Sequence, residues 1–160
     1  SDIRHCRLLH CSLLGRWASK FHYIPCVGSL SLRDLAEPPS ALAFGTPGGD
    51  AQDQWALTMF LRHVHHGFDL QAAIDAPNFH TDHLPSSFYP RTFQPGEVKA
   101  EGRFDDATIV EMRARGHRMT MVGDWASGRM TAVGRARGKY GWFLKGAAHP
   151  RFQEAYAVGR

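Results

Sequence analysis

No stretch of the chain approaches the run of about 20 apolar residues that spans a bilayer, so a membrane-crossing helix is excluded. The apolar start "CRLLHCSLLGRW" is broken by Arg7, His10 and Ser12 and lacks the continuous core of a secretory signal. Cysteine is scarce: Cys6, Cys11 and Cys26 are an odd set gathered at the N-terminal end. Such a set builds neither a disulfide framework nor a four-ligand zinc site, and reduced thiols in a cytoplasmic setting are the plainer expectation. Charge of one sign is lacking too. The 19 lysines and arginines exceed the 15 acids by little and lie scattered, Arg62, Arg91, Arg103 and Arg113 among them. No basic stripe with interleaved aromatics therefore predicts nucleic-acid binding. Internal repeats and low-complexity tracts are absent as well.

What is present fits one compact domain, since 160 residues at 43% hydrophobic content suffice to bury a core. Composition changes near residue 28. Residues 1–28 hold every cysteine and no clean periodicity, and read as a divergent leader; a start at Ser1 without methionine is expected of a processed or incomplete piece. Beyond it, "SLSLRD" (29–34) alternates like a strand, Pro38 and Pro39 make a loop, and "ALAF" (41–44) is a brief buried strand. From Asp50 the spacing of Trp55, Met59, Phe60 and Val64, with Leu57 and Leu61 beside them, predicts a largely buried helix stopped by Gly67. Asp69 caps "LQAAIDA", which ends before Pro77, and residues 78–96 with their prolines read as an extended surface excursion.

"EVKAEG" (97–102) is a strand, and Asp105 caps a helix that ends at Gly116, with Phe104 placed to staple onto Ile109. "HRMTMVG", "RMTAVGR" and "YGWFLKGA" are three further strands, with "GRARGK" (134–139) a solvated turn between two of them. This mixture predicts sheet with helices packed on it, α+β or α/β.

One junction asks for explanation. "FGTPGGDAQDQW" places Gly48 and Gly49 directly before a predicted helix with Asp50 as its N-cap. Backbone N–H groups at a helix N-terminus lack intrahelical partners, and with the helix dipole they favour negative charge. Two residues without Cβ let a ligand approach them closely, which is the arrangement of an oxyanion hole. A tight turn after Pro47 is the simpler alternative. The Lys-Ser/Thr of a phosphate loop and the G-x-G-x-x-G pattern are both absent.

Asp50 and Asp53 are a possible acid and base, though at a helix start capping is their plainer role. Thr46 is placed for a hydrogen bond within the turn. "HVHH" (His63 to His66) and "HTDH" (His80 to His83) suggest metal ligands, yet no H-E-x-x-H occurs and solvated histidines are the plainer reading.

"FGTPGGDAQDQW", "GFDLQAAIDAPNFH", "EGRFDDATIVEMRARGHRMT" and "AYAVGR", in this order, resemble the C-terminal part of the gamma-glutamyltransferase family of N-terminal nucleophile hydrolases, across residues 29–160. The resemblance implies α+β architecture belonging to a four-layer αββα sandwich. It implies acyl transfer from gamma-glutamyl amides such as glutathione, without a cofactor or metal, and an oxyanion hole at Gly48 and Gly49. It also implies a partner: the large subunit, or the N-terminal part of the same precursor.

The family's nucleophile is a threonine in a Thr-Thr-His context whose own α-amine serves as base. No Thr-Thr-His occurs here, and no nucleophile is assigned in this chain; Ser1 does not open a buried central strand. The family's hydroxyl pair for the substrate carboxylate is replaced by "YIPCVGS", with Ser29 and Ser31 in another arrangement, so no substrate-binding residue is assigned either. The chain alone is therefore expected to be inactive. Two other classes stay open: a non-catalytic subunit that docks on a large partner, and a histidine-dependent metal protein.

Overall fold

The computed structural model describes residues 28–32, 40–153 and 155–158. All of the leader but Gly28, with it all three cysteines, and the Pro38-Pro39 loop lie outside the described residues. The chain runs as strand β1 (Gly28–Leu32), strand β2 (Ser40–Gly45), a 3-10 turn at Gly49–Ala51, helix α1 (Gln52–Val64), helix α2 (Leu70–Asp75), strand β3 (Phe79–Thr81), strand β4 (Glu97–Glu101), helix α3 (Asp106–Ala114), strand β5 (Arg118–Val122), strand β6 (Thr131–Gly138) and strand β7 (Gly141–Ala148), then a 3-10 turn at Arg151–Gln153. The α+β expectation is borne out.

Two sheets form. One is antiparallel in the order β1-β2-β6-β7; the other, β3-β4-β5, joins an antiparallel pair to a parallel pair through α3. Strand β2 alternates as a half-buried strand should, with Leu42 and Phe44 turned into the core. Its partners follow by register, since Phe44 faces Ala132 and Ala132 faces Ala147, and all three are buried. Trp55 and Met59 of α1, Leu70, Ala73 and Ile74 of α2, and Met130 complete this core. Phe60 lies 6.1 Å from Phe44, ring to ring.

Helix α1 is less buried than its composition suggests. Leu57 is 57% and Leu61 38% exposed, so the inward face is the stripe Gln52, Trp55 and Met59. The predicted stops and caps hold elsewhere. Gly67 (φ 69°) and Gly116 (φ 93°) follow α1 and α3 in left-handed conformation. Asp69 accepts from Ala72 N at 2.8 Å and Asp105 from Thr108 N at 2.8 Å. Phe104 sets its ring edge-on to Phe79, 6.2 Å between centroids. "GRARGK" is not a turn: Gly134 to Gly138 continue β6 against β7, and only Lys139 and Tyr140 link the strands. Alternation of small and charged residues is compatible with either state, and the long apolar partner strand decides it. Among the described residues no helix is long and apolar enough to cross a membrane.

Candidate functional site

Strand β2 delivers the chain into the glycine turn. Thr46 is buried, and its Oγ1 donates to Pro47 O (2.8 Å) while accepting from Arg129 N (3.2 Å). That hydroxyl thus fixes the turn internally, as expected, and also ties it to the start of β6. Gly48 caps the 3-10 turn with φ 141° and ψ 19°, and Gly49 follows at φ 59°. Both values lie where L side chains are strained.

Space adds a second demand. A Cβ on Gly48 would sit 2.2 Å from the Trp55 ring, and one on Gly49 would sit 3.1 Å from Phe88. The Trp55 approach, invisible in the sequence, would by itself require glycine at position 48. Beside the turn lies a cleft of about 220 Å³, lined by Pro47, Gly48, Trp55, Ala126, Gly128, Arg129 and Phe152. The Arg129 guanidinium lies 4.5 Å over the Phe152 ring.

Asp50 does not cap the helix. Its carboxylate accepts from Ser86 Oγ (2.9 Å) and Ser87 N (2.8 Å), and so pins the long excursion onto the turn. Ser87 first, then the Ser86 hydroxyl, hold its carboxyl below the usual aspartate range. Neither the 3-10 turn nor α1 has a side-chain cap, so Asp53 is no cap either. A tertiary hydrogen bond pair has displaced the local one.

The opposite wall of the cleft hangs on one carboxylate that no local sequence pattern singles out. Glu101 ends β4 fully buried and accepts from Asn78 N (2.9 Å), Ser127 N (3.0 Å), Arg103 (2.7 Å) and Arg151 (2.8 and 2.9 Å). Burial pushes its carboxyl up. Hydrogen bonds from Arg151, from the N–H groups of Ser127 and Asn78, and from Arg103 outweigh that and hold it below the usual glutamate range.

Arg151, 1% exposed, also donates to Ile74 O (2.9 Å) and Ala76 O (3.3 Å), the last carbonyls of α2. Its neighbour Phe152 takes φ 59° and lines the cleft. Gly128 is held close to Asn78, whose Nδ2 would meet a Cβ there at 2.2 Å. No local pattern around "HPR" marks Arg151 as buried, because its partners come from residues far away in the chain.

Ser127 Oγ lies 3.4 Å from His80 Nδ1, and His80 Nε2 lies 3.9 Å from Asp82. The order resembles a nucleophile relay, but Ser127 is 1% exposed and Asp82 is held by Lys99 at 2.5 Å. Burial, chiefly, keeps the His80 imidazole below the usual histidine range, and its ring meets Trp55 edge-on at 5.3 Å. This is packing around Trp55. His63 Nδ1 contacts Phe68 O (2.6 Å) and His83 Nδ1 accepts from Gly96 N (2.9 Å), so the two histidine clusters are spread over separate backbone contacts. Among the described residues no three histidine, cysteine or acidic groups gather as metal ligands.

The profile of the family Gamma-glutamyltranspeptidase matches residues 33–159. The chain is 30% identical over 118 residues to the oxamate amidohydrolase proenzyme of Klebsiella pneumoniae, across 72% of this chain and 21% of that protein. It is 33% identical over 124 residues to the glutathione hydrolase-like YwrD proenzyme of Bacillus subtilis, across 74% and 21%. Against the solved structure of LmbA2991HD the TM-score is 0.67 at 50% identity, covering 76% of this chain and 21% of that one. A gamma-glutamyltranspeptidase from Pseudomonas nitroreducens, complexed with L-DON, shares the fold at TM-score 0.58 and 20% identity, covering 84% of this chain and 62% of that one. The chain thus spans about a fifth of the length of these curated relatives.

Proposed function

The chain belongs to the gamma-glutamyltranspeptidase family, and from that premise we propose that it supplies the oxyanion hole of a gamma-glutamyl amide hydrolase or acyltransferase whose nucleophile comes from another part of the enzyme. The observation that carries this is the glycine turn, where Gly48 and Gly49 enter a helix N-terminus at positive φ and Gly48 lines a cleft. Donors fixed there before the reaction stabilise the oxygen that turns negative when the acyl carbon is attacked.

The substrate in this proposal is a small gamma-glutamyl amide such as glutathione. Support comes from the glutathione hydrolase-like relative, while the oxamate amidohydrolase relative fits the same amide-cleaving class. The partner is the large subunit or the preceding part of the same precursor, since both curated relatives are proenzymes several times longer than this chain. The described residues hold no Thr-Thr-His, and the internal threonines have no free amine to act as base.

The chain alone is therefore expected not to release nitroaniline from gamma-glutamyl-p-nitroanilide. Turnover by residues 1–160 alone, lost on substitution of Gly49, would overturn the assignment of the nucleophile elsewhere. A docking role accompanies this one, because Val133 (60%) and Leu144 (81%) leave apolar area uncovered on the β6–β7 face.

A further inference from the structure

Strand β7 is the outer strand of its sheet, and among the described residues nothing pairs with its far edge except at one end. There the Gln71 side chain stands in for a neighbouring strand. Its Nε2 donates to Ala148 O (2.9 Å) and its Oε1 accepts from Ala148 N (3.2 Å). In an antiparallel ladder residues two apart turn their N–H and C=O groups to the same edge. If Ala148 points outward, so do Gly146, Leu144 and Trp142. Ala157 comes within 3.3 Å of where a Gly146 Cβ would sit. Among the described residues the open stretch is therefore Gly141 to Lys145.

Two further properties say what fits it. From Arg129 to Gln153 there is no acidic residue, and Arg135, Arg137, Lys139 and Lys145 all fall on this hairpin. Its aromatics lie among them: Arg135 is 4.5 Å over the Trp142 ring, and Lys145 is 5.4 Å from the Phe143 ring. Four cations with no acid among them thus gather on this one hairpin. Register also places Arg135 opposite Leu144 and Arg137 opposite Trp142, so one face alternates apolar and cationic groups. Native edges of this length are normally blunted, bulged or covered.

We propose that the β7 edge at Gly141–Lys145 binds an extended polypeptide strand that alternates apolar and acidic side chains, adding it to the sheet. Main-chain hydrogen bonds supply affinity, and the alternating side chains supply selection. The apolar ones cover Trp142 and Leu144, while the carboxylates, on the other face of the added strand, meet Lys145 and, at the turn, Lys139. A nucleic acid would satisfy the cations but would leave Leu144 and Val133 in water and the outward peptide groups without backbone partners. The proposal is independent of the acyl-transfer reading, because it uses no atom of the glycine turn.

The test is fluorescence anisotropy with a labelled peptide of about ten residues alternating Glu and Val. An oligothymidylate of similar charge and phosphatidylglycerol vesicles serve as competing probes. The peptide is expected to bind at least tenfold more tightly than the oligothymidylate. Leu144→Pro, which removes one outward N–H without touching the β6 pairing, is expected to weaken binding roughly tenfold or more. Raising salt from about 0.05 to about 0.5 M should weaken it as well.

Lys139→Glu/Lys145→Glu, at exposed positions that do not threaten folding, should give a loss similar to that from Leu144→Pro. It decides the matter if the proline variant fails to melt cooperatively. Absence of peptide binding, binding untouched by the variants that fold, or preference for the oligonucleotide or the vesicles would each overturn the proposal.

Discussion

Gly48 and Gly49 look alike in the sequence and differ in the structure. Gly48→Ala drives a methyl to 2.2 Å from the buried Trp55 ring at φ 141°. A destabilisation of about 2–4 kcal/mol is expected in urea unfolding. Gly49→Ala meets only the edge of half-exposed Phe88 at 3.1 Å. It should cost about 1–2 kcal/mol, part of it recovered by Phe88→Ala. The paired glycines were legible as a special junction, but Trp55 approaching one of them was not, since tertiary packing sets that distance.

Glu101 was not legible at all; a glutamate ending a strand usually reads as solvated. Its folded carboxyl lies below the unfolded value of about 4.3, so folding favours the ionised form. That contribution is complete above the unfolded value and is lost as acid takes the pH down through the folded one. Glu101→Gln should therefore cost about 3–5 kcal/mol at neutral pH. It should also flatten the acid limb of a stability-against-pH curve relative to the parent chain. An unchanged acid limb would contradict the placement of this ion pair.

At the scale of elements, caps and stops carried most of what could be read. Asp69, Asp105, Gly67 and Gly116 mark their helix ends as expected, because capping is local chemistry written within four residues. Asp69→Ala should accordingly lower stability by about 1 kcal/mol. Asp50 shows where local reading ends: the same residue type at an apparent cap bonds instead to Ser86 and Ser87. Asp50→Ala is expected to leave global unfolding nearly unchanged while speeding hydrogen exchange across residues 82–96. Slower or equal exchange there would count against the tether. The hairpin β6–β7 was misread at "GRARGK" for a related reason. Strand pairing along eight residues overrides the turn signal of interspersed glycines.

For the whole molecule, the family and the α+β class were visible in motifs spread from the glycine turn to the terminal "AYAVGR", whereas the cleft was not. Its walls come from the turn after β2, α1, the approach to β6 and the turn after β7, and two of them are joined by the buried Glu101–Arg151 pair. In the proposed reading the glycine turn stabilises the oxyanion in an enzyme completed by a threonine-bearing partner. Its most direct test is kcat and KM for gamma-glutamyl-p-nitroanilide, with this chain complemented by the part of the precursor that carries the nucleophile. Gly49→Ala, with and without Phe88→Ala, is the comparison to make. Alanine keeps the N–H but strains the φ 59° backbone that aims it, so kcat is expected to fall by about tenfold or more in both variants, with KM changed by less than roughly threefold. Full kcat in a folded Gly49→Ala variant, or a loss that Phe88→Ala restores, would contradict it.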